Sequence, residues 1–221
     1  MTANAQEKYK TLKDITYISA DDTSAYRRER CKLDINMPVG KKGFKTIVWF
    51  HGGGLEGGNK EFRPELMNSG IAQVAPNYRL FPRCKCPDYT RDAAAAVAWT
   101  IKHIAEYGVD ADSIKGYFPV SGQCATHYTI RKERKISFTL PIVDNMSPLN
   151  NARKLGTNLT IITGDRRLEQ MARYEENLYL KSVLEGMGNK YIPVHELSGF
   201  DHGTVLAPAG LMIRDIIRND K

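Results

Sequence analysis

Three short stretches hold residue types that could do chemistry together. The first is His51-Gly52-Gly53-Gly54, directly after the apolar run Thr46–Phe50. Glycines carry no Cβ, so the backbone can turn sharply there and present bare N–H groups to an oxyanion. The second, Gly164-Asp165, follows the apolar run Leu159–Thr163. The third, Gly199-Phe200-Asp201-His202-Gly203, follows Tyr191–Leu197. An acid that fixes an imidazole tautomer and an imidazole that moves a proton both need rigid loops. Strand ends supply them. Asp165 and His202 are therefore the candidate acid and base, and Glu169, one helical turn beyond Asp165, is the alternative acid. Cys124, in Gly122-Gln123-Cys124-Ala125-Thr126, is the candidate nucleophile, since a thiolate paired with His202 is competent to attack a carbonyl.

These loops imply strands that alternate with helices. Strand-like runs are predicted at Asp14–Ser19, Lys32–Met37, Thr46–Phe50, Ile71–Ala75, Tyr117–Ser121, Leu159–Thr163 and Tyr191–Leu197. A helix is predicted from Asp88 to Tyr107, opened by Pro87-Asp88, stopped by Gly108 and striped with Ala94, Val97, Ala98, Ile101 and Ile104. Further helices are expected over about 168–184 and 205–217, and a short one near 64–68. The alternation means an α/β fold with a mostly parallel sheet and helices on both faces. Ligands bind beyond the carboxyl ends of the strands in such sheets. The chemical residues sit at those ends.

Thr46–Gly54, Ala75-Pro76-Asn77-Tyr78-Arg79-Leu80 and Asp92-Ala93-Ala94-Ala95-Ala96-Val97-Ala98-Trp99 resemble the hormone-sensitive-lipase-like esterases of the α/β-hydrolase fold. The small bacterial carboxylesterases and feruloyl esterases are the most similar in kind, and the likeness runs over nearly the whole chain. In that family a His-Gly-Gly-Gly loop supplies oxyanion-hole N–H groups. The resemblance implies that role for Gly53 and Gly54, with His51 and Gly52 shaping the loop. It also implies a single domain over residues 1–221 and a small acyl or feruloyl-type ester as substrate, with no cofactor or metal.

The family nucleophile is a serine in Gly-x-Ser-x-Gly on a strand–turn–helix elbow. No such pattern occurs in this chain. Gly122-Gln123-Cys124-Ala125-Thr126 imitates it poorly, because Thr126 stands where the turn needs glycine and bulky or charged residues follow through Lys132. Val109–Gly122 and Thr126–Arg134 instead resemble the segment that follows the elbow in these esterases. On that reading a central strand–helix unit is missing at Tyr107-Gly108-Val109, where an in-frame deletion could have joined two Tyr-Gly ends. Three readings then stand: an esterase by descent with impaired activity, a non-catalytic hydrolase-fold binding protein, or a cysteine hydrolase using Cys124.

Composition narrows the classes further. The chain has 221 residues, 42% hydrophobic and 26% charged, which is ordinary for a globular domain and too apolar for a disordered one. No apolar run approaches the ~20 residues of a membrane-spanning helix, and Met1–Lys10 is polar, so neither membrane insertion nor a signal peptide is expected. The net charge of +7 is scattered, and its densest cluster, Arg131-Lys132-Glu133-Arg134-Lys135, is broken by an acid and lacks aromatic residues. Nucleic acid is therefore not an expected partner. Cys84 and Cys86 have no second pair at zinc-site spacing and read as loop thiols. Losing a central strand would leave strand edges able to pair, so self-association is expected.

Overall fold

In Lys32–Pro38 (β2), Leu33 and Ile35 turn into the core while the alternating Lys32 and Asp34 remain half-buried. This strand pairs antiparallel with Tyr9–Thr16 (β1), whose register slips between Leu12 and Ile15, with Asp14 at φ 57°. The slip is a bulge, and β1 starts five residues before the expected Asp14. Between them, the charged connection contains a short helix, Ala25–Arg30 (α1), capped by the Ser24 hydroxyl. Thr46–Val48 (β3) runs parallel to Ala72–Pro76 (β4), giving the order β1-β2-β4-β3. Every residue of β4 is buried, as a central strand demands. Its Gln73 side chain is satisfied by the backbone N–H and carbonyl of Arg63 at 2.8 and 3.2 Å.

The computed structural model describes residues 8–108, 114–137 and 139–220. The polar start of the chain up to residue 7, and Val109 at the inferred deletion point, lie outside them. Residues 1–113 and 114–221 form two compact units. β1 to β4 belong to the first, together with the helix Asp88–His103 (α2), which tightens into a 3-10 turn over Ile104–Tyr107 and stops at Gly108, φ 92°. The buried face of α2 carries Tyr89, Asp92, Ala96 and Thr100, rotated from the expected stripe; Ala94 and Ala98 are exposed. Apolar counting missed this face because a charge lies on it. Asp92 is fully buried between Arg79 and Arg27, at 2.7 and 3.0 Å.

In the second unit all pairing is parallel. Gly116–Tyr117 (β5) lies beside Asn158–Leu159 (β6), Val120 bridges to Ile162, and Ile161–Gly164 (β7) lies beside Val194–Leu197 (β8). The helices are Tyr128–Glu133 (α3), Arg173–Gly186 (α4) and Leu206–Asn219 (α5). Here α4 starts five residues after the expected 168, because Ala172 takes φ 60° and the preceding residues form a turn. Cys124, Ile161, Leu180, Leu184 and Ile192 form one core cluster of this unit.

Only positions 108–115 separate the turn ending at Tyr107 from β5. A strand with its crossover helix occupies ~30 residues, so no such unit fits there. β3 and β5 are each the terminal strand of their sheet.

Candidate active site

The glycine loop of the first unit is built as its sequence suggests. Gly53 and Gly54 take φ 105° and 63°, and the Gly53 carbonyl accepts from the N–H groups of Glu56 and Gly57 at 3.1 and 3.0 Å. A Cβ at Gly53 would lie 2.3 Å from the Gly57 carbonyl oxygen, so only glycine fits. His51 is buried, stacked on Tyr78 at 4.5 Å, and its carbonyl accepts from the Tyr78 hydroxyl at 2.8 Å. Its Nδ1 lies 2.7 Å from the Gly52 carbonyl, and burial lowers its pKa. A neutral ring wedged in this way shapes the loop. Gly52 and Gly53 themselves are exposed.

In the second unit the carboxylate on His202 is Glu169. Nδ1 of His202 lies 3.1 Å from Glu169 Oε2. The Glu169 side chain is 1% exposed and the imidazole 44%. Four donors reach the carboxylate: the Ser121 hydroxyl and Gly164 N–H on Oε1, the Gln170 N–H and His202 Nδ1–H on Oε2. Burial pushes the Glu169 pKa up, but the hydrogen bonds, led by Ser121, outweigh it and hold the carboxyl below its ordinary range. With Nδ1–H engaged, Nε2 keeps the lone pair that can take a proton.

Asp165, the expected acid, faces elsewhere. Its carboxylate takes the Arg167 guanidinium at 2.7 and 3.0 Å, the Gly199 N–H at 3.0 Å and the Ser198 hydroxyl at 3.4 Å. The Arg167 guanidinium, then the Gly199 and Arg167 N–H groups, hold it well below the usual carboxylate range. Among the described residues it makes no hydrogen bond to His202. Its backbone N–H donates to Phe200 at 2.8 Å, so Asp165 ties the turn after β7 to the turn after β8. Asp201 completes the second turn by accepting from Gly203 and Thr204. Gly164 is required because a Cβ there would meet the Phe200 carbonyl at 2.5 Å and Glu169 Oε1 at 3.0 Å.

Cys124 lies in the middle of an irregular segment, and α3 begins only at Tyr128. The left-handed residue is Ser121, at φ 49°, rather than Cys124. The thiol is 2% exposed, with Sγ 3.8 Å from the Gly122 carbonyl. Burial, then the Glu176 carboxylate that accepts from the Cys124 N–H, push its pKa up to about 12. In the sequence, Ser121 stands only at the end of the strand-like run Tyr117–Ser121. No local signal marks it, because its partner lies 48 positions away. Among the described residues no His, Cys, Asp and Glu cluster could hold a metal ion, and no helix is long and apolar enough to cross a membrane.

Comparison with known proteins points to esterases. Residues 33–125 match the BD-FAE family model. The chain is 41% identical over 103 residues to a probable carboxylic ester hydrolase, LipM, of Mycobacterium tuberculosis, covering 44% of this chain and 22% of that protein. It is 31% identical over 90 residues to a probable isoprenylcysteine alpha-carbonyl methylesterase, ICMEL1, of Arabidopsis thaliana, covering 38% and 19%. The chain thus spans about a fifth of the length of these curated relatives. A truncated form of a carbohydrate esterase from gut microbiota superposes with TM-score 0.77 at 16% identity, covering 98% of this chain and 97% of that one. This chain shares the α/β-hydrolase fold of these esterases. A bacterial heroin esterase shares the fold at TM-score 0.66 and 15% identity, covering 97% and 84%. The chain has a His-Gly-Gly-Gly loop in one unit and an acid–histidine pair in the other, and lacks a Gly-x-Ser-x-Gly serine.

Proposed function

We propose that this hydrolase handles small acyl or feruloyl-type esters through the Glu169–His202 pair, with activity impaired by the missing serine. The buried, four-fold hydrogen-bonded Glu169 carboxylate beneath a half-exposed His202 carries this reading. Glu169 holds the imidazole in the Nδ1–H tautomer, and Nε2 takes a proton from a water that attacks the ester carbonyl. The alkoxide leaves with that proton. Gly53 and Gly54 are assigned as oxyanion donors by their family resemblance. Losing the nucleophile from such a machine costs about 10⁶ in turnover, with ~10³–10⁴ over water retained by the remaining groups.

Burial and the raised pKa of Cys124 argue against the cysteine-hydrolase reading, because little thiolate forms near neutral pH. A non-catalytic binding role is the second reading, favoured by the absent serine. Rates on p-nitrophenyl acetate for wild type, His202→Ala, Glu169→Gln and Cys124→Ala separate the three. We expect slow wild-type turnover, a fall of at least about tenfold in the first two variants, and no change in Cys124→Ala. Robust turnover abolished by Cys124→Ala would overturn this assignment; measurable ester binding without His202-dependent turnover would favour the binding role. Terminal strands β3 and β5 also support self-association, which sedimentation across a concentration series checks.

A further inference from the structure

The Ser121 hydroxyl has a place in this site that neither the family motif nor the missing elbow assigns. Ser121 holds φ 49°, a left-handed conformation that a side chain makes costly and that glycine takes freely. Gly122 stands next to it, so the strained position is filled by a residue with a side chain. That side chain does one thing: its hydroxyl donates to Glu169 Oε1. The backbone is fixed as well. Ser121 N–H donates to Ile162 at 2.8 Å in β7, two residues before Gly164, whose own N–H reaches the same Oε1 at 3.1 Å. Ser121 is 5% exposed, so bulk water does not readily replace the donor.

We propose that Ser121 is a positioning residue for the Glu169–His202 pair. Its hydroxyl anchors one carboxylate oxygen so that the other is held beneath the imidazole. The geometry also bars Ser121 from acting as the lost nucleophile. In a Ser–His–acid relay the imidazole lies between hydroxyl and carboxylate, whereas here the carboxylate lies between hydroxyl and imidazole. The Ser121 proton points to the Glu169 carboxylate, and among the described residues no imidazole accepts it. Without this donor Oε1 keeps only the Gly164 N–H, and the carboxylate gains freedom to rotate away from Nδ1.

This inference rests on Glu169–His202 as the proton-handling pair, and its test is read without turnover. The full chain, labelled with ¹⁵N and ¹³C, is compared as wild type, Ser121→Ala and Ser121→Gly. Two signals are followed by NMR: the His202 ring nitrogens, which report the tautomer, and the Glu169 carboxyl carbon through a pH titration. Both variants should raise the Glu169 midpoint by about one pH unit and reduce the Nδ1–H tautomer fraction. Ser121→Gly relieves the strain at φ 49° and should melt at or above Ser121→Ala while losing the anchor equally, whereas a purely conformational role predicts unchanged NMR signals in Ser121→Gly. Unchanged Glu169 titration and His202 tautomer in folded Ser121→Gly would overturn the proposal, and this variant suffices if Ser121→Ala does not fold. If both NMR signals respond while His202→Ala leaves ester turnover unaffected, Ser121 keeps its role and the esterase reading fails.

Discussion

The glycine loop of the first unit and the acid–histidine pair of the second place chemical groups by different means. At residues 51–54 the groups proposed to act belong to the backbone, and local sterics dictate their course. Gly53 leaves no room for a Cβ against Gly57, and His51 is clamped by stacking on Tyr78. At the ends of β7 and β8 the functional atoms are on side chains, and donors from distant positions decide which carboxylate meets His202. Asp165 and Glu169 are four residues apart on one turn. One ties two loops together and the other holds the imidazole. Backbone sites are thus readable from residue type, whereas side-chain sites depend on rotamers and partners.

The largest effects should come from glycines that both regions require. Gly53→Ala and Gly164→Ala should each destabilise the chain by about 3 kcal/mol in urea unfolding, since backbone oxygens 2.3 and 2.5 Å from the new Cβ cannot yield cheaply. Gly164→Ala should also displace Glu169 and abolish the His202 Nδ1–H signature, while Gly53→Ala leaves that signature intact. If Gly53→Ala were tolerated without loss, the backbone half of the contrast would fail.

The contrast between the two carboxylates comes next. Glu169→Gln should scramble the His202 tautomer, whereas Asp165→Asn should preserve it and lower the melting temperature by loosening the loops around Gly199 and Phe200. The reverse pattern in ring-nitrogen NMR would restore Asp165 as the acid.

Acid supplies a smaller, graded test. Native Glu169 and Asp165 titrate below their ordinary ranges, so the unfolded state binds their protons first as pH falls. Their stabilisation is fully present above about pH 4.5 and is lost as pH drops through their native values. Urea unfolding at pH 7, 5 and 3 should show little change across the first interval and a clear loss across the second. Glu169→Gln should flatten part of that loss. The smallest effect falls on Cys124: at pH 8 its thiol should alkylate far more slowly than the half-buried Cys86, because burial suppresses both thiolate and access. Fast labelling of Cys124 in folded protein would contradict its burial.

Much of the architecture was legible in residue patterns. Seven strand-like runs fell on strands of the structure, with ends displaced by a bulge at Asp14 and by short β5 and β8. The α2 face was misread because Asp92, a charge, occupies its buried side through pairing with Arg79 and Arg27 from elsewhere in the chain. Helix α1 shows no apolar period because four of its six residues are charged, and its cap alone marks it.

By itself, the sequence determined the α/β alternation, the glycine loop, the placement of His202 after a strand and the absence of a Gly-x-Ser-x-Gly serine. Each of these follows from residue type or local spacing, which no tertiary contact can alter. Only the tertiary structure decided that Glu169 rather than Asp165 meets the imidazole, that Cys124 is sealed away, and that Ser121 anchors the acid. A buried carboxylate is stable only where enough donors converge on it, and those donors come from Ser121, Gly164, Gln170 and His202, brought together by the folded chain.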